Sequence, residues 1–419
     1  MLKGKKIEDH RISGTIESRL LDVNMNLEIA TSVKRLEKYV SSQKYSGYDP
    51  YDALNSEKLN NINLKFLRVF FTQLFVYSPI NSRLFFNVNQ GINAKALGLF
   101  LSSYCNLFKI GFINHNSFEN ISSKLVNLLL NNASLDFSGY CWGFNFNWQD
   151  TKRNAKKFTP TIVVTSYIGN SFLDLYEITH KQKYLDIAES ITNFIIKDLH
   201  IRKCKNGICF SYTPIDKHIV HNANCLGAAF LSRVYKTNKD EKLLDYSRKA
   251  FDYSISRQNK NGSWEFQLFP ESGKVRNQTD FHQGFILDSL MDFIKYIGEN
   301  DKKYKQSLLK GSDFYINEQF EDFGRSKWRL PWSYPVDIHH QAQGIITLCK
   351  LYNSFKNDKY LEFAYKIAKW TIENMQDKIG YFYYQKWPFL TNKIPYMRWG
   401  QAWMMLALSS LLYVKKEDY

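Results

Sequence analysis

Apolar residues fall at helical spacing in paired segments along most of the chain. Ile168, Phe172, Leu173, Leu175 and Tyr176 mark one face of a helix over 161–180, and the polar turn Lys181-Gln182-Lys183 leads into a second over 184–199. The same pairing is predicted over 222–237 with 241–258, 281–298 with 302–318, and 338–355 with 358–375, before a last helix over 399–414. A less regular pair lies upstream, at 93–110 and 117–131. Gly169, Gly227, Gly284, Gly344 and Ala402 stand at matching points, 58, 57, 60 and 58 residues apart, so the chain repeats with a period of one helix pair. Six inner helices then start near 93, 161, 222, 281, 338 and 399, and an open solenoid fits this period as well as a ring, which a helix near 60–78 would close beside the C-terminal one. Gly-centred turns flanked by aromatic residues, at 206–212, 259–266 and 378–384, predict short hairpins between successive pairs.

Polar clusters open the later inner helices. They are Asp280-Phe281-His282-Gln283-Gly284, Asp337-Ile338-His339-His340 running on to Gln343-Gly344, and Arg398-Trp399-Gly400-Gln401-Ala402. Stacked repeats bring such helix starts to one rim, where residues distant in sequence line one cavity. Asp280 and Asp337 fit helix N-caps as well as catalytic carboxylates. An imidazole titrating near about 6.5 both takes and gives protons, which makes His282 and His340 candidate proton carriers. Tyr396 is a candidate phenolic acid, and Arg398 offers a forked pair of donors that fits a carboxylate. Aromatic faces stack on sugar rings and amides bind hydroxyls, so Trp148, Trp332, Trp399 and Trp403, with Asn222, Asn224, Gln343 and Gln401, are candidate substrate-binding groups. Trp142 and Trp148 serve equally well as filling between two hairpins.

Composition narrows the partners. The net charge of +16 attracts an acidic polysaccharide, a nucleic acid or an anionic membrane, and the absence of a zinc finger, an RNP-like motif or an Arg-rich tract disfavours nucleic acid. The N-terminal 30 residues show no secretory pattern, and the Phe-rich stretch 66–86 is too short and too polar to span a bilayer. A cytoplasmic protein is expected, with peripheral contact to the inner membrane surface as a further possibility. Cys204 and Cys209 lie closest of the six cysteines, but their spacing does not form a zinc knuckle, so neither metal nor cofactor is expected.

Five segments resemble bacterial surface-polysaccharide biosynthesis proteins of the VpsJ type: Asn222-Ala223-Asn224, NGSWEF, DFHQGFILDSL, DIHHQAQGI and RWGQAW. The resemblance extends from about Tyr140 to Leu412. It implies an all-α (α/α)6 toroid with short hairpins on the active-site rim, a fold shared by six-hairpin glycosidases, unsaturated glucuronyl hydrolases, N-acylglucosamine 2-epimerases and, distantly, the C-terminal domain of glucuronyl C5-epimerases. Residues 1–60 carry none of it and are expected to form a polar extension packing on a single toroid domain at 61–419. The favoured expectation is an epimerase acting on an acidic sugar or uronate, presented as an oligosaccharide, a polysaccharide, or a lipid- or nucleotide-linked sugar. A glycoside hydrolase using Asp280 and Asp337, and a non-catalytic polysaccharide-binding protein, are the alternatives.

Overall fold

A computed structural model describes residues 25–149, 154–297 and 301–416. Helix α1 covers residues 25–42. The short α2 (Glu57–Asn60) and α3 (Lys65–Tyr77) precede five helix pairs: α4 (Ala94–Lys109) with α5 (His115–Asn131), α6 (Ile162–Thr179) with α7 (Gln182–Asn193), α8 (His221–Asn238) with α9 (Glu241–Ser256), α10 (His282–Ile297) with α11 (Lys302–Gln319), and α12 (Ile338–Phe355) with α13 (Asp358–Met375). A π turn over Met397–Ala402 leads into α14 (Trp403–Lys416). The first member of each pair packs against the first member of the next, α12 packs on α14 and α14 returns to α4, which closes an inner ring of six. The second members lie outside. The fold is an (α/α)6 toroid: the repeat predicts the paired helices, and the resemblance predicts their closure into a ring.

The sixth outer position corrects the expectation for residues 60–78. It is held by α1, whose Ile29, Val33, Leu36 and Val40 recur at helical spacing and are fully buried. Arg35 Nη2 donates to Gln376 Oε1 at 2.8 Å, and the Tyr104 hydroxyl donates to Glu37 at 3.2 Å, so α1 bridges the last pair to the first inner helix. The turn glycines show the same relation. Gly207, Gly262 and Gly324, all at positive φ, lie against the backbone of Lys249, Lys310 and Lys366 on the outer helices, and Gly380 lies against that of Arg35. No side chain fits between two backbones so close. Helix α3 instead crosses the rim, where Asn392 Nδ2 donates to the Ser78 carbonyl at 2.9 Å.

Of the predicted hairpins, the first forms from Ile201–Cys204 and Gly207–Phe210. At 259–266 and 378–384 the chain makes tight Gly turns, and the strands follow at Gln267–Phe269 with Lys274–Arg276 and at Gln385–Lys386 with Thr391–Asn392. Each of these later hairpins pairs with the two-residue strand that leads into an earlier inner helix, Ile219–Val220 before α8 and Val336–Asp337 before α12. The rim is thereby stitched across neighbouring repeats.

One polar side chain from the first turns of each of five inner helices holds the preceding loop. Gln283 Oε1 accepts from Trp264 N at 2.8 Å while its Nε2 donates to Trp264 O at 2.9 Å. Gln401 does the same to Phe382, at 2.7 and 2.8 Å. Gln341 pairs with Ser326 N and Gly324 O, Asn224 with Phe210 N and Ile208 O, and the Thr165 hydroxyl with both groups of Trp142. All five side chains are buried, so water cannot replace them. Replacing Gln401 by Leu leaves the Phe382 amide and carbonyl unpaired in the interior and should lower stability by about 3 kcal/mol. Urea denaturation reads this directly, and an unshifted midpoint would remove the role.

Candidate functional site

A cavity of about 240 Å³ opens at the N-terminal ends of the inner helices. Asp280, two residues before the first residue of α10, accepts the His282 backbone N–H at 3.1 Å on Oδ1, and the same oxygen lies 2.6 Å from His282 Nδ1. Gln278 Nε2 donates to Oδ2 at 2.6 Å, and Arg329 Nε stands 3.6 Å from that oxygen. Burial alone would raise the Asp280 pKa, but the His282 ring and Arg329 outweigh it and hold the carboxyl down at about 2. An ionised Asp280 fixes Nδ1 of His282 as the protonated nitrogen and leaves Nε2 as the basic one. That side chain is 18% exposed and lines the cavity.

His339 is the second imidazole on the wall. Its ring is stacked between Phe281 (4.3 Å) and Trp403 (4.5 Å), with Trp399 edge-on at 4.7 Å. Neither ring nitrogen has a hydrogen-bond partner, and the residue is almost fully buried. Desolvation, reinforced by the charges of Lys95 and Arg398, pushes its pKa well below the usual imidazole value, so the ring is neutral at pH 7. Phe281 also stacks on His282 at 4.3 Å, so one phenyl ring spaces the two imidazoles.

Asp337 caps α12 through the His339 N–H at 2.9 Å and accepts from Gln385 Nε2 and Trp399 Nε1, each at 2.8 Å. It lies in the same wall, yet burial dominates those hydrogen bonds and raises its pKa to about 6. Two carboxyls of one cavity thus titrate far apart, one as a fixed anion and one near neutrality. Lys95 adds a buried amine whose Nζ sits 4.7 Å from the Tyr167 ring and 4.9 Å from the Trp403 ring. Desolvation, then the Arg398 charge, lowers its pKa well below that of a free lysine.

Of the residues expected in the site, Asp280, His282, Asp337, Arg398, Trp399, Asn222 and Trp148 do line the cavity. Arg398 is not an open clamp. Its Nε and Nη2 grip Asp49 at 2.5 and 2.7 Å, so the fork already holds a carboxylate of its own chain. His340 turns away: Nδ1 lies 2.8 Å from the Lys327 carbonyl, the ring packs on Phe320, and burial lowers its pKa to about 4. Tyr396 is buried outside the cavity, donating to the Phe75 carbonyl at 3.3 Å beneath the Arg83 guanidinium. Asn224 and Gln401 serve the loops, and Gln343 donates to Asp288 at 2.8 Å behind the wall. Trp403 backs His339 without facing the cavity, and Trp332 is exposed on the rim.

Lys95, Gln278 and Arg329 were not singled out from the sequence. Lys95 precedes the helix-crossing Gly98 by three positions, as Asn224 and Gln341 precede Gly227 and Gly344, so extending the register to α4 finds it. Gln278 and Arg329 sit on loops, where the repeat has no register. Among the described residues no cluster of His, Cys, Asp or Glu could hold a metal ion.

The model of a family described as pectic acid lyase matches residues 211–297, which include Asn222, Asp280 and His282. No curated protein matches the sequence. Among solved structures, the chain is similar to a cellobiose 2-epimerase from Bacillus thermoamylovorans, at 12% identity and a TM-score of 0.63 over 79% of this chain and 90% of that one. It is also similar to a GH76 alpha-mannanase of Bacteroides thetaiotaomicron, at 12% identity and a TM-score of 0.60 over 78% and 88%. The Lin0763 protein of Listeria innocua is covered more fully, at 13% identity and a TM-score of 0.62 over 93% and 98%. These likenesses establish the toroid.

The depressed pKa of Asp280 makes a signed prediction. A carboxyl held below its unfolded value stabilises the fold above about pH 4 and loses that contribution as the pH falls through about 2. Asp280→Asn should therefore cost roughly 2 kcal/mol at pH 7, with the difference from wild type shrinking below pH 4. Chemical denaturation at several pH values checks this, and a difference independent of pH would refute it.

Proposed function

We propose that the chain is a carbohydrate-active enzyme of bacterial surface-polysaccharide assembly that moves a proton on an acidic sugar, with epimerisation as the outcome. The observation that carries this reading is the pair of unlike imidazoles in one cavity: a neutral, partnerless His339, and a His282 oriented by an ionised Asp280. His282 enters the step protonated on both ring nitrogens. His339 removes the proton from the ring carbon next to a carboxylate, the electron pair moves into that carboxylate, and His282 Nε2–H gives its proton to the other face, leaving His339 as the protonated imidazole. Asp280 steadies the charge on His282 while it holds the proton, as the carboxylate of a catalytic triad does for its imidazole. The enolate needs a cation beside it. With Arg398 committed to Asp49, that role passes to Arg329 on the same wall, with the Lys95 amine beside it as a hydrogen-bond donor. The match to a pectic acid lyase model, pectic acid being a polyuronate, supports an acidic substrate.

A hydrolytic reading draws on a different observation, the split between Asp280 and Asp337. A carboxyl raised to about 6 beside one held at about 2 is the acid-and-base division that glycosidic cleavage requires. Incubation with uronate-containing oligosaccharides in D2O separates the two readings. Deuterium at a ring carbon without chain cleavage is expected, and His339→Gln and His282→Gln should each slow its uptake by about a hundredfold or more. New reducing ends that vanish in Asp337→Asn would establish hydrolysis instead.

A further inference from the structure

We propose that the rim around the cavity mouth is a docking face for an anionic lipid bilayer. Three segments build it. Helix α3 turns Gln73, Val76 and Tyr77 to the cavity, while Phe66, Phe70 and Leu74, four residues apart, face outward. The loop after it leaves Leu84 77% and Phe85 80% exposed. Beside it, the hairpin of Gln385–Lys386 and Thr391–Asn392 carries Phe389 at its tip, 102% exposed, and the third segment presents Trp332 at 66%. The three are joined at the mouth, since Asn392 Nδ2 donates to the Ser78 carbonyl and Tyr77 meets Trp328 edge-on at 6.3 Å. Exposed aliphatic and aromatic residues on so many neighbouring tips form a patch that a monomer surface does not ordinarily leave uncovered.

Charge selects the occupant. No Asp or Glu occurs between Glu57 and Glu119, between Asp322 and Asp337, or between Asp377 and Glu417, the stretches that supply all three segments. Their charged residues, among them Lys327, Arg329, Lys386 and Lys393, are all basic. Apolar tips interspersed with cations and free of carboxylates match the boundary of an anionic leaflet. A second copy of the chain would bring one carboxylate-free cationic face against another, which like-charge repulsion opposes. The contact is peripheral: α3 has 13 residues, and among the described residues no helix is long and apolar enough to cross a membrane. Docked in this way, the cavity opens onto the lipid surface, where saccharides carried on lipid would meet it. The inference does not depend on which reaction the cavity performs.

Flotation of the full chain with vesicles tests it. Binding is expected to phosphatidylcholine vesicles containing phosphatidylglycerol, weakening with added salt, and not to phosphatidylcholine alone. Phe70→Asp with Phe85→Asp, and separately Phe389→Asp, should each lower vesicle affinity by about tenfold or more, and Phe389→Asp should do so without moving the thermal midpoint, because that side chain is already in water. Three results would overturn the proposal: no binding of the wild type to anionic vesicles, undiminished binding by both variants, or a wild-type dimer that the same substitutions split into monomers.

Discussion

The loops that wall the cavity have little regular structure, yet their backbones are buried, and a buried amide or carbonyl must find a partner. In five of the six repeats that partner is one side chain at the start of an inner helix. Gln283 and Gln401 each close a two-bond ring with a single loop residue, and Asn224 and Gln341 bridge two. This fixes each loop against the helix whose N-terminus faces the cavity, and so sets where Asp280, His282, Asp337 and His339 stand relative to one another. The architecture of the ring comes from apolar burial, while the position of its chemistry comes from these amides.

That double duty explains how much of the site was legible. The period, the inner helices and the polar clusters at their starts follow from the sequence, because small residues recur where inner helices touch: a Cβ on Gly169 would fall 2.4 Å from Phe230, and one on Gly227 2.2 Å from Ile162. Within a cluster, however, the polar residues divide between loop and cavity, and one position decides which. Successive residues on a helix point about 100° apart. His339 therefore enters the aromatic stack of the cavity while His340 turns to the Lys327 carbonyl, and nothing in the pair His339-His340 says which will do so. Asn222 and Asn224 divide in the same way. Likewise α1 was legible by spacing through Ile29, Val33, Leu36 and Val40, but its charged outer face reads as an extension until a ring is present for it to close.

Arg398 shows a third limit, a partner more than three hundred residues away. Asp52 pairs with Arg83 at 2.7 Å, the Arg83 Nη2 donates to the Asp49 carbonyl at 2.8 Å, and the Asp49 carboxylate takes the fork of Arg398. All four side chains are buried. Burying a charge is costly, and removing one member of such a chain leaves the next uncompensated, so the segment before α2 is tied to the π turn before α14. Part of that cost remains visible in Asp52, whose burial raises its pKa to about 6 despite the Arg83 guanidinium. What reads in sequence as a clamp for a substrate is a clasp between distant parts of the rim.

The distribution of carboxylates connects these features. Long stretches of the rim contain none, yet Asp49, Asp280 and Asp337 are all buried at the cavity or directly behind it, each accepting several hydrogen bonds. Arg276, Arg329 and Lys95 line the same cavity, and the two carboxylates that face it are oriented by their helix starts. Basic approach and acidic floor favour different steps: attraction acts over roughly a Debye length of about 10 Å, whereas proton transfer needs contact. A net charge of +16 spread evenly would accomplish only the first. Basic residues and, beneath them, buried carboxyls and two imidazoles bring those two steps together in one cavity, which is what the proposed reaction on an acidic sugar requires.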